Sequence, residues 1–346
     1  IILRYILLEE LLRRKNNKLI MNFNIGIIGC GLVGKKRADN LGKRGKLIGC
    51  YDIDFKKAKN FANDYSVKLF DSIEHIASCK DIDIIIICTL HNTLTSIAET
   101  CIKFNKHLLI EKPAGKNYKD VENLRNKLNN NSKIHIGFNH RYHRSIIKAK
   151  KIIEKATLGE LMFIKASYGH GGRLGYEKEW RFNKEISGGG ELIDQGPHLI
   201  DLSQWFLEEE LELQSSIVKN YFWNTTQEDN AFLTLLSKKG KIVSLHVSCT
   251  EWKNTFLFEI YGKHGKLAIS GLGGSYGIEK VALYKMSSEM GPPETIIYEY
   301  PMLDNSWLIE IEQFYDDIAL DKEPKSNLDN AISILKLIDQ AYSRNN

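Results

Sequence analysis

The sequence predicts two domains, an α/β domain on a doubly wound parallel sheet over residues 21–140 and an α+β domain with a large, mostly antiparallel open sheet over residues 141–346. The length of 346 residues is typical of two domains. Apolar strand-like runs alternate with helical patterns up to about residue 140, as expected of a parallel sheet. Between about residues 211 and 300, strand-like runs follow one another with few helices, which indicates antiparallel pairing.

The first domain opens with the strand-like run FNIGII, a glycine cluster and a helical stretch. Four further strand-like runs follow: KLIGCYDID, DIDIIIICTL, HLLIEKP and KIHIGFNH. DIDIIIICTL is nearly all β-branched, which is typical of a parallel strand buried on both faces. Stretches with helical spacing separate these runs: KKAKNFANDY, LTSIAETCIKF and KDVENLRNKLNN.

The second domain opens with an amphipathic helix, RSIIKAKKIIEKA, then the strand LMFIKASYGH and a helix within residues 188–207. The strands that follow are SSIVKNYFW, AFLTLLS, KIVSLHVSC, FLFEIYG, GKLAISG, KVALYKM and TIIYEY. Two helical patterns come last, LIEIEQFYDDIAL and LDNAISILKLIDQAY. For the second of these, over about residues 327–344, packing back on the first domain is one possibility.

Composition and charge restrict the class of protein. The net charge is +5 and the basic residues are scattered, which argues against nucleic acid as the main partner. Residues 1–20 are interpreted as an extension that is too short and too charged to span a membrane and has no signal-peptide cleavage site. The six cysteines form no CxxC pair and lie mostly in apolar runs, so we expect a cytoplasmic protein. The sequence shows no compact cluster of His, Cys and Asp residues, which argues against a metal enzyme.

The first motif is a glycine triplet, Gly29, Gly31 and Gly34, with the spacing G-x-G-x-x-G. Such triplets also occur by chance, and a strand–turn–helix joint without a ligand is the alternative interpretation. Here the triplet follows a strand and opens a helix, so it predicts a Rossmann domain that binds a dinucleotide pyrophosphate at the helix N-terminus. The residues between the last two glycines, Leu32 and Val33, belong to the same predicted cradle.

The identity of the dinucleotide is predicted from the acid that ends the second strand, Asp52. A carboxylate there accepts hydrogen bonds from the adenosine ribose and repels a 2′-phosphate, which favours NAD over NADP. Lys56 and Lys57 follow and could soften that repulsion. Asp54 is the competing acid, and its alternative role is a helix N-cap.

The second motif is Glu111-Lys112-Pro113, just after the strand HLLIE. In open parallel sheets, ligands bind beyond the carboxyl ends of the strands. A lysine there can exchange a proton or stabilise a developing alkoxide. The alternative is a solvated lysine in a turn that contains proline.

The third motif, GGGELIDQGPHLID, places Asp194 and His198 four residues apart, which on a helix puts them on one face. Three glycines precede them, and we expect these glycines to allow a close backbone approach. Pro197 is expected to distort the helix locally. A histidine can accept the proton of a hydroxyl group that loses a hydride, and a carboxylate can orient that hydroxyl. The alternatives are a buried core histidine and a capping or ion-paired aspartate.

These motifs, taken in this order, resemble the Gfo/Idh/MocA oxidoreductase family over residues 22–345. The resemblance implies an N-terminal Rossmann domain and a C-terminal α+β domain whose open sheet commonly forms an interface between subunits, giving a homodimer or homotetramer. It also implies that Lys112, Asp194 and His198 form the catalytic set, with His198 as the base.

The chain departs from many relatives at the end of the strand-like run DIDIIIICTL. They carry Thr-Pro-Asn and a histidine three residues later, where this chain has Thr89-Leu90-His91-Asn92 and Leu94. Thr89 is kept and could still contact the nucleotide, and Asn92 or His91 could replace the histidine. With Glu111 and Lys112, Thr89 and Asn92 complete the predicted cofactor-binding set.

A glycine-rich loop before the third motif is rich in polar and aromatic side chains suited to a sugar or phosphate. An ordinary solvated loop with ion pairs is the alternative. The predicted substrate residues, besides Asp194 and His198, are Asn139, Arg141, Tyr168, His170, Arg173, Trp180 and Arg181.

The sequence therefore predicts an NAD-dependent dehydrogenase that oxidises a secondary hydroxyl of a sugar or nucleotide-activated sugar. A free-sugar or cyclitol dehydrogenase is the first alternative. A non-catalytic NAD-binding regulator on the same fold is the second, although the intact set of Lys112, Asp194 and His198 argues against it.

Overall fold

The computed structural model describes residues 21–128 and 131–345, so the predicted extension over residues 1–20 lies outside the described residues. The described chain forms two compact units. The first comprises residues 21–114, 121–128, 131–137 and 307–328, and the second comprises residues 115–120, 138–306 and 329–345. Over the described ranges, no helix is both long enough and apolar enough to cross a membrane.

The strands are, in chain order, β1 (Phe23–Ile28), β2 (Gly45–Tyr51), β3 (Lys68–Leu69), β4 (Ile84–Ile87), β5 (His107–Glu111), β6 (Ile134–Gly137), β7 (Leu161–Gly169), β8 (Leu211–Lys219), β9 (Asn230–Ser237), β10 (Ile242–Ser248), β11 (Thr255–Gly262), β12 (Gly265–Ser270), β13 (Glu279–Lys285) and β14 (Glu294–Tyr300). The α-helices are α1 (Leu32–Asp39), α2 (Phe55–Tyr65), α3 (Ile73–Ser78), α4 (His91–Ile102), α5 (Tyr118–Asn126), α6 (Arg144–Glu154), α7 (Lys184–Ser187), α8 (Glu191–Leu207), α9 (Ser306–Ala319) and α10 (Leu328–Asn345).

The first unit is built on a six-stranded parallel sheet in the order β3-β2-β1-β4-β5-β6. Its central strand β4 consists of four isoleucines, and all four are fully buried. This is the burial expected of a strand covered on both faces. The strand order reverses between β1 and β4, which places the crevice for a ligand at the carboxyl ends of these two strands.

Helix α9 belongs to the first unit almost entirely, because its apolar side chains complete that unit's core. Phe314 and Tyr315 are fully buried, and the ring of Tyr315 stacks on Phe23 with centroids 5.0 Å apart. The predicted bounds assigned this segment to the second domain. Helix α10 instead groups with the second unit, where Tyr342 donates a hydrogen bond to Glu228 and Gln204 donates one to Ser333.

The second unit contains an eight-stranded sheet in the order β14-β13-β12-β11-β7-β10-β9-β8. Strands β7 and β10 pair in parallel, and the other neighbours are antiparallel. The predicted fold class, a parallel sheet followed by a large, mostly antiparallel one, is confirmed.

The strands of the second sheet alternate between a buried face and an open face. The buried side chains include Ile164, Val243 and Phe258, none of which is exposed to solvent, and the apolar side of α8 packs on β7 and β10. The open face carries a row of side chains in register across five strands: Ile217, Phe232, His246, Ser167 and Leu257. Several of them are large and apolar yet exposed.

Candidate functional site

The glycine cradle of the first unit has the geometry that a bound pyrophosphate requires. At Gly34, an added Cβ atom would collide with the carbonyl oxygen of Gly29. Because glycine has no Cβ, helix α1 can pack closely on β1. At Gly31, an added Cβ would meet no atom within 4 Å, so the backbone there faces open space. Gly31 is also the N-cap of α1 and supplies no side-chain capping hydrogen bond. The first N–H groups of α1 are therefore suited to an anionic ligand.

Asp52 lies beside this cradle and is held by two backbone amides. Its Oδ2 accepts a hydrogen bond from the N–H of Cys30 at 2.7 Å, and its Oδ1 accepts one from the N–H of Asp54 at 2.8 Å. Asp54 caps helix α2 by accepting from the N–H groups of Lys56 and Lys57. The alternative role of Asp54 as a helix cap is thus what the structure shows, and Asp52 is the acid next to the cradle.

The other predicted cofactor residues follow β4 and β5. The hydroxyl of Thr89 accepts a hydrogen bond from Thr93 Oγ1 at 2.9 Å, just after β4. Leu32 is exposed in the first turn of α1, and Asn92 is exposed in the first turn of α4. Lys112 is half-buried directly after β5.

Glu111 is buried, and its Oε1 accepts a hydrogen bond from Arg37 Nε at 2.7 Å. Burial raises the pKa of Glu111, and the charge of Arg37 opposes that rise. The carboxylate of Glu111 is thus occupied within the first unit.

In the second unit, Asp194 and His198 both lie on α8 and are both buried. The helix runs unbroken from Glu191 to Leu207 through Pro197, so the proline does not end it. Because they are four positions apart, the two side chains share one face of the helix.

The three glycines before α8 allow three close contacts. An added Cβ would collide at Gly188 with the carbonyl oxygen of Lys116, at Gly189 with the hydroxyl of Tyr342, and at Gly190 with the carbonyl oxygen of Glu228. The glycine run is thus required for packing at the start of the helix that carries Asp194 and His198.

The N-terminus of α8 is capped by a side chain that lies far away in the sequence. Glu228 accepts hydrogen bonds from the N–H groups of Gly190 and Leu192 and from the hydroxyl of Tyr342 at 2.7 Å. Burial raises the pKa of Glu228, while the hydrogen bond from Tyr342 opposes the rise. No local sequence pattern indicates this cap, because the glutamate lies 38 positions from Gly190.

His198 lies in an aromatic environment. Its ring stacks on His140 with centroids 3.7 Å apart and an interplanar angle of 28°, and Tyr168 makes an edge contact at 6.0 Å. Burial raises the pKa of Tyr168 well above its usual value, and Tyr276 adds to the rise. Tyr168 therefore keeps its proton at neutral pH. The stack of His140 on His198 was not predicted, since an aromatic contact of this kind has no local sequence pattern.

Asp194 is paired with the loop that precedes its helix. Its Oδ2 accepts a hydrogen bond from Arg181 Nε at 2.8 Å, and Arg181 also donates to Glu179. Burial alone would lower the pKa of Arg181, but the neighbouring Asp194 carboxylate outweighs it and raises that pKa. The Arg181 guanidinium also lies over the Trp180 ring, 4.9 Å from its centroid.

The other predicted substrate residues are held in different ways. Arg173 is largely exposed and pairs with Glu179, the same acid that Arg181 contacts. His170 accepts a hydrogen bond from the N–H of Gly172 at Nδ1, and burial lowers its pKa, so its ring is neutral. Both side chains lie on the loop that carries Arg181.

Asn139 and Arg141, by contrast, are buried and engaged in the second unit. Arg141 forms a bidentate pair with Asp201, with contacts of 2.7 and 2.5 Å, and Asn139 donates to the hydroxyl of Ser306. These contacts support the fold around α8, and a direct contact of either residue with substrate stays a prediction.

One group of described side chains lies close enough together to hold a metal ion: His143, Glu279 and Asp304. His143 Nδ1 lies 2.9 Å from Glu279 Oε1, and the N–H and hydroxyl of Ser145 donate to Oε2. The group is therefore already hydrogen-bonded. No sequence motif predicts this group, because its three members are distant along the chain.

The chain matches two family models. Residues 23–140 match the oxidoreductase family with an NAD-binding Rossmann fold, GFO_IDH_MocA, and residues 146–268 match the GFO/IDH/MocA C-terminal domain. The two matched regions together make up well over half of the chain.

Curated relatives and solved structures agree with these matches. The chain is 27% identical over 219 residues to glucose-6-phosphate 3-dehydrogenase of Bacillus subtilis, covering 60% of this chain and 61% of that protein. It is 22% identical over 319 residues to inositol 2-dehydrogenase/D-chiro-inositol 3-dehydrogenase of Lacticaseibacillus casei, covering 88% and 86%. The match thus spans less than two thirds of the length of the first relative.

A solved structure of levoglucosan dehydrogenase, in complex with NADH and L-sorbose, has the same fold. Its TM-score is 0.82 at 18% identity, with 94% of this chain and 98% of that chain covered. The resemblance stated from the motifs is confirmed, as is the prediction of an NAD-binding domain, whose cradle fits the cofactor. The chain belongs to the Gfo/Idh/MocA family of NAD-binding oxidoreductases.

Proposed function

We propose that this protein oxidises a secondary hydroxyl group of a sugar, free or nucleotide-activated, with NAD as the hydride acceptor. The observation that carries the proposal is the buried pair of Asp194 and His198 on α8, in a chain whose first unit is an NAD-binding domain. Two relatives are named as dehydrogenases of glucose 6-phosphate and of inositol, which supports a polyhydroxylated substrate for this protein. They also keep a free-sugar or cyclitol substrate as the second candidate.

The roles follow from the chemistry of each side chain. His198 is the base that takes the hydroxyl proton, which requires a neutral imidazole. Asp194, held by Arg181, orients the hydroxyl group or the imidazole. Lys112 is assigned to the same reaction by the family resemblance, as a cation that stabilises the developing alkoxide. When bound, NAD supplies the hydride acceptor. The Gly29–Gly34 cradle would hold its pyrophosphate, and Asp52 its adenosine ribose.

Two further properties belong to the proposal. The six cysteines are free and most are buried, which supports a reducing compartment, the cytoplasm. The open face of the second sheet exposes a row of apolar side chains, which supports a homodimer or homotetramer formed through that face.

The test is a substrate screen with the purified protein and NAD⁺, followed by NADH absorbance. The panel contains myo-inositol, glucose 6-phosphate, levoglucosan and a set of nucleotide sugars, with NADP⁺ in a parallel series. NADH formed from a member of the panel is expected. Binding of NAD⁺ without turnover of any member would favour the regulator interpretation instead.

A matched pair of variants tests the base. His198→Ala should lower turnover by about two orders of magnitude or more, because a general base contributes that much. Binding of NAD⁺, measured by fluorescence titration, should survive in this variant. His264→Ala, at an exposed position between β11 and β12, is the control and should turn over like the parent. Parent-like turnover by His198→Ala would exclude His198 as the base.

A further inference from the structure

Arg37 is a fully buried arginine on the helix that begins at the glycine cradle. Its Nε donates to Glu111 Oε1 at 2.7 Å, and its Nη2 lies 2.5 Å from the same oxygen. Its Nη1 donates to Glu310 Oε2 at 2.5 Å. One guanidinium thus joins three elements of the first unit, the cradle helix α1, the strand β5 and the helix α9.

The surroundings leave room for this cation and hold it in place. The indole ring of Trp307 lies over the guanidinium at 4.3 Å, and His135 Nε2 is 3.3 Å from the second oxygen of Glu310. Gly137 pairs with Glu111 across β5 and β6, and an added Cβ there would come within 2.6 Å of Arg37 Nη2. A side chain at this position would therefore displace the ion pair.

Glu111 is also the first residue of the turn that carries Lys112. Its carbonyl oxygen accepts a hydrogen bond from the N–H of Ala114 at 3.0 Å, which closes the turn Glu111–Ala114. Lys112 is the second residue of that turn, and its charge acts on the Glu111 carboxylate. The side chain of Glu111 is tied to α1 while its backbone starts the turn, so the position of Lys112 depends on the pair.

We propose that Arg37 and Glu111 are positioning residues, whose buried ion pair fixes Lys112 relative to a dinucleotide bound at the α1 cradle. This inference rests on the proposed function, which makes Lys112 part of the reaction. A buried ion pair is a poor source of stability, because desolvation offsets its attraction. It is nevertheless directional, since the N–H groups of a guanidinium donate in one plane, and Nε and Nη2 of Arg37 both lie within 2.7 Å of Glu111 Oε1. Arg37 and Glu111 therefore fix the position of α1 relative to the end of β5. An apolar contact in their place would allow these two elements to slide past each other.

Two glutamate variants of the same network test this. Glu111→Gln and Glu310→Gln each remove one buried carboxylate charge from Arg37 and each keep an acceptor oxygen, so they match in chemistry and net charge. Only the first touches the turn of Lys112. If Glu111→Gln does not fold, Arg37→Lys replaces it, because a lysine keeps the charge but lacks the fork.

Two readouts are made on the NAD⁺-bound protein. The first is the rate at which an amine-acylating reagent modifies Lys112, followed by peptide mass spectrometry relative to exposed lysines of the same sample. The second is the kcat and KM for the substrate found in the screen. In Glu111→Gln, we expect an altered acylation rate at Lys112 and a kcat lower by about tenfold or more, as expected for a misplaced catalytic group. The dissociation constant of NAD⁺ should remain close to that of the parent.

Glu310→Gln should lose a similar amount of thermal stability but keep the parent's Lys112 acylation rate and kcat, because Arg37 still holds Glu111. Equal behaviour of the two variants in both readouts would mean that the network is merely structural and would overturn the inference. The acylation readout needs no substrate. Failure of the substrate screen therefore contradicts the proposed function and leaves the positioning test intact.

Discussion

Two aspartates, Asp52 and Asp54, stand two residues apart and have different tasks. The carboxylate of Asp54 caps the N-terminus of α2. Asp52 accepts from the N–H of Cys30, inside the glycine cradle, so its oxygens lie where an adenosine ribose is expected. The difference comes from the backbone, because Asp52 directly follows β2 whereas Asp54 is the N-cap of α2.

Asp52→Ala should relax the preference for NAD over NADP. Removing the carboxylate removes a hydrogen-bond acceptor for the ribose and the repulsion of a 2′-phosphate. Titration of both cofactors, followed by fluorescence, measures the ratio of the two dissociation constants. Asp54→Ala is the matched control. It should lower thermal stability through the lost cap while leaving the ratio as in the parent. An unchanged ratio in Asp52→Ala would remove this role from Asp52.

The arginines show how far residue type alone can mislead. Arg141 and Arg181 both look like ligands for a sugar or phosphate in the sequence. Arg141 is locked in a bidentate pair with Asp201, whereas Arg181 remains partly exposed and holds Asp194. Both are arginine–carboxylate pairs, so only the tertiary structure tells which guanidinium retains solvent contact.

At the scale of elements, two glycines at the start of α1, Gly31 and Gly34, have different functions. Gly34 serves packing, since a side chain would strike the carbonyl of Gly29. Gly31 serves the ligand, since a side chain would meet no protein atom within 4 Å. Its φ of −78° is open to any residue.

Gly31→Ala should therefore fold normally and bind NAD⁺ about tenfold or more weakly, a loss of about 1.4 kcal/mol, because the new methyl group stands where the pyrophosphate approaches. Thermal unfolding without cofactor and a fluorescence titration with NAD⁺ measure the two effects. Gly34→Ala, the comparison variant, should lose stability even without cofactor. Parent-like NAD⁺ affinity in Gly31→Ala would show that the pyrophosphate does not approach there.

The second unit contains an ionic contact between α6 and β13 that we expect to depend on pH. Glu279, at the start of β13, accepts from the N–H of Ser145 in α6 and pairs with His143, which also faces Asp304. Burial alone would raise the pKa of Glu279, but the hydrogen bond from His143 and its charge outweigh this and lower it below 4.5. The charged carboxylate thus stabilises the folded state.

The sign follows from linkage. Because the folded state lowers this pKa, the stabilisation is present above pH 4.5, the ordinary value, and is lost as the pH falls through the lower folded value. Glu279→Gln should unfold at lower urea concentration at neutral pH, and its stability should fall less steeply in acid. Urea unfolding of parent and variant across this range checks it. Parallel curves would show that Glu279 adds nothing to acid sensitivity.

At the scale of the whole molecule, the open face of the second sheet is the feature that the monomer leaves unexplained. Ile217 is 53% exposed and Phe232 is 40% exposed, and they lie in register on neighbouring strands with His246 stacked on Phe232. Large apolar side chains exposed together in this way usually mark an interface. The row crosses the sheet from β8 to β11, so it is not confined to an edge strand.

Phe232→Lys should convert the proposed oligomer to a monomer, because it places a charge within this row. Sedimentation velocity on parent and variant measures the change. Lys148→Ala, on α6 and away from the open face, is the control and should keep the parent's mass. A parent that sediments as a monomer would contradict the proposed assembly.

The sequence by itself determined the class of each unit and the place of the motifs. The isoleucines of β4, the glycine triplet and the run of strands after residue 211 are local patterns, and local patterns follow from the geometry of a single helix, strand or turn. For the same reason, the face shared by Asp194 and His198 could be predicted from their spacing alone.

Only the tertiary structure decided which distant residues support these motifs. The return of α9 to the first unit, the cap of α8 by Glu228, the stack of His140 on His198 and the pair of Arg37 with Glu111 all join residues many positions apart. Such contacts depend on how packed elements meet. The physical reason is that side-chain pairing across elements leaves no period in the sequence, whereas helices, strands and turns do.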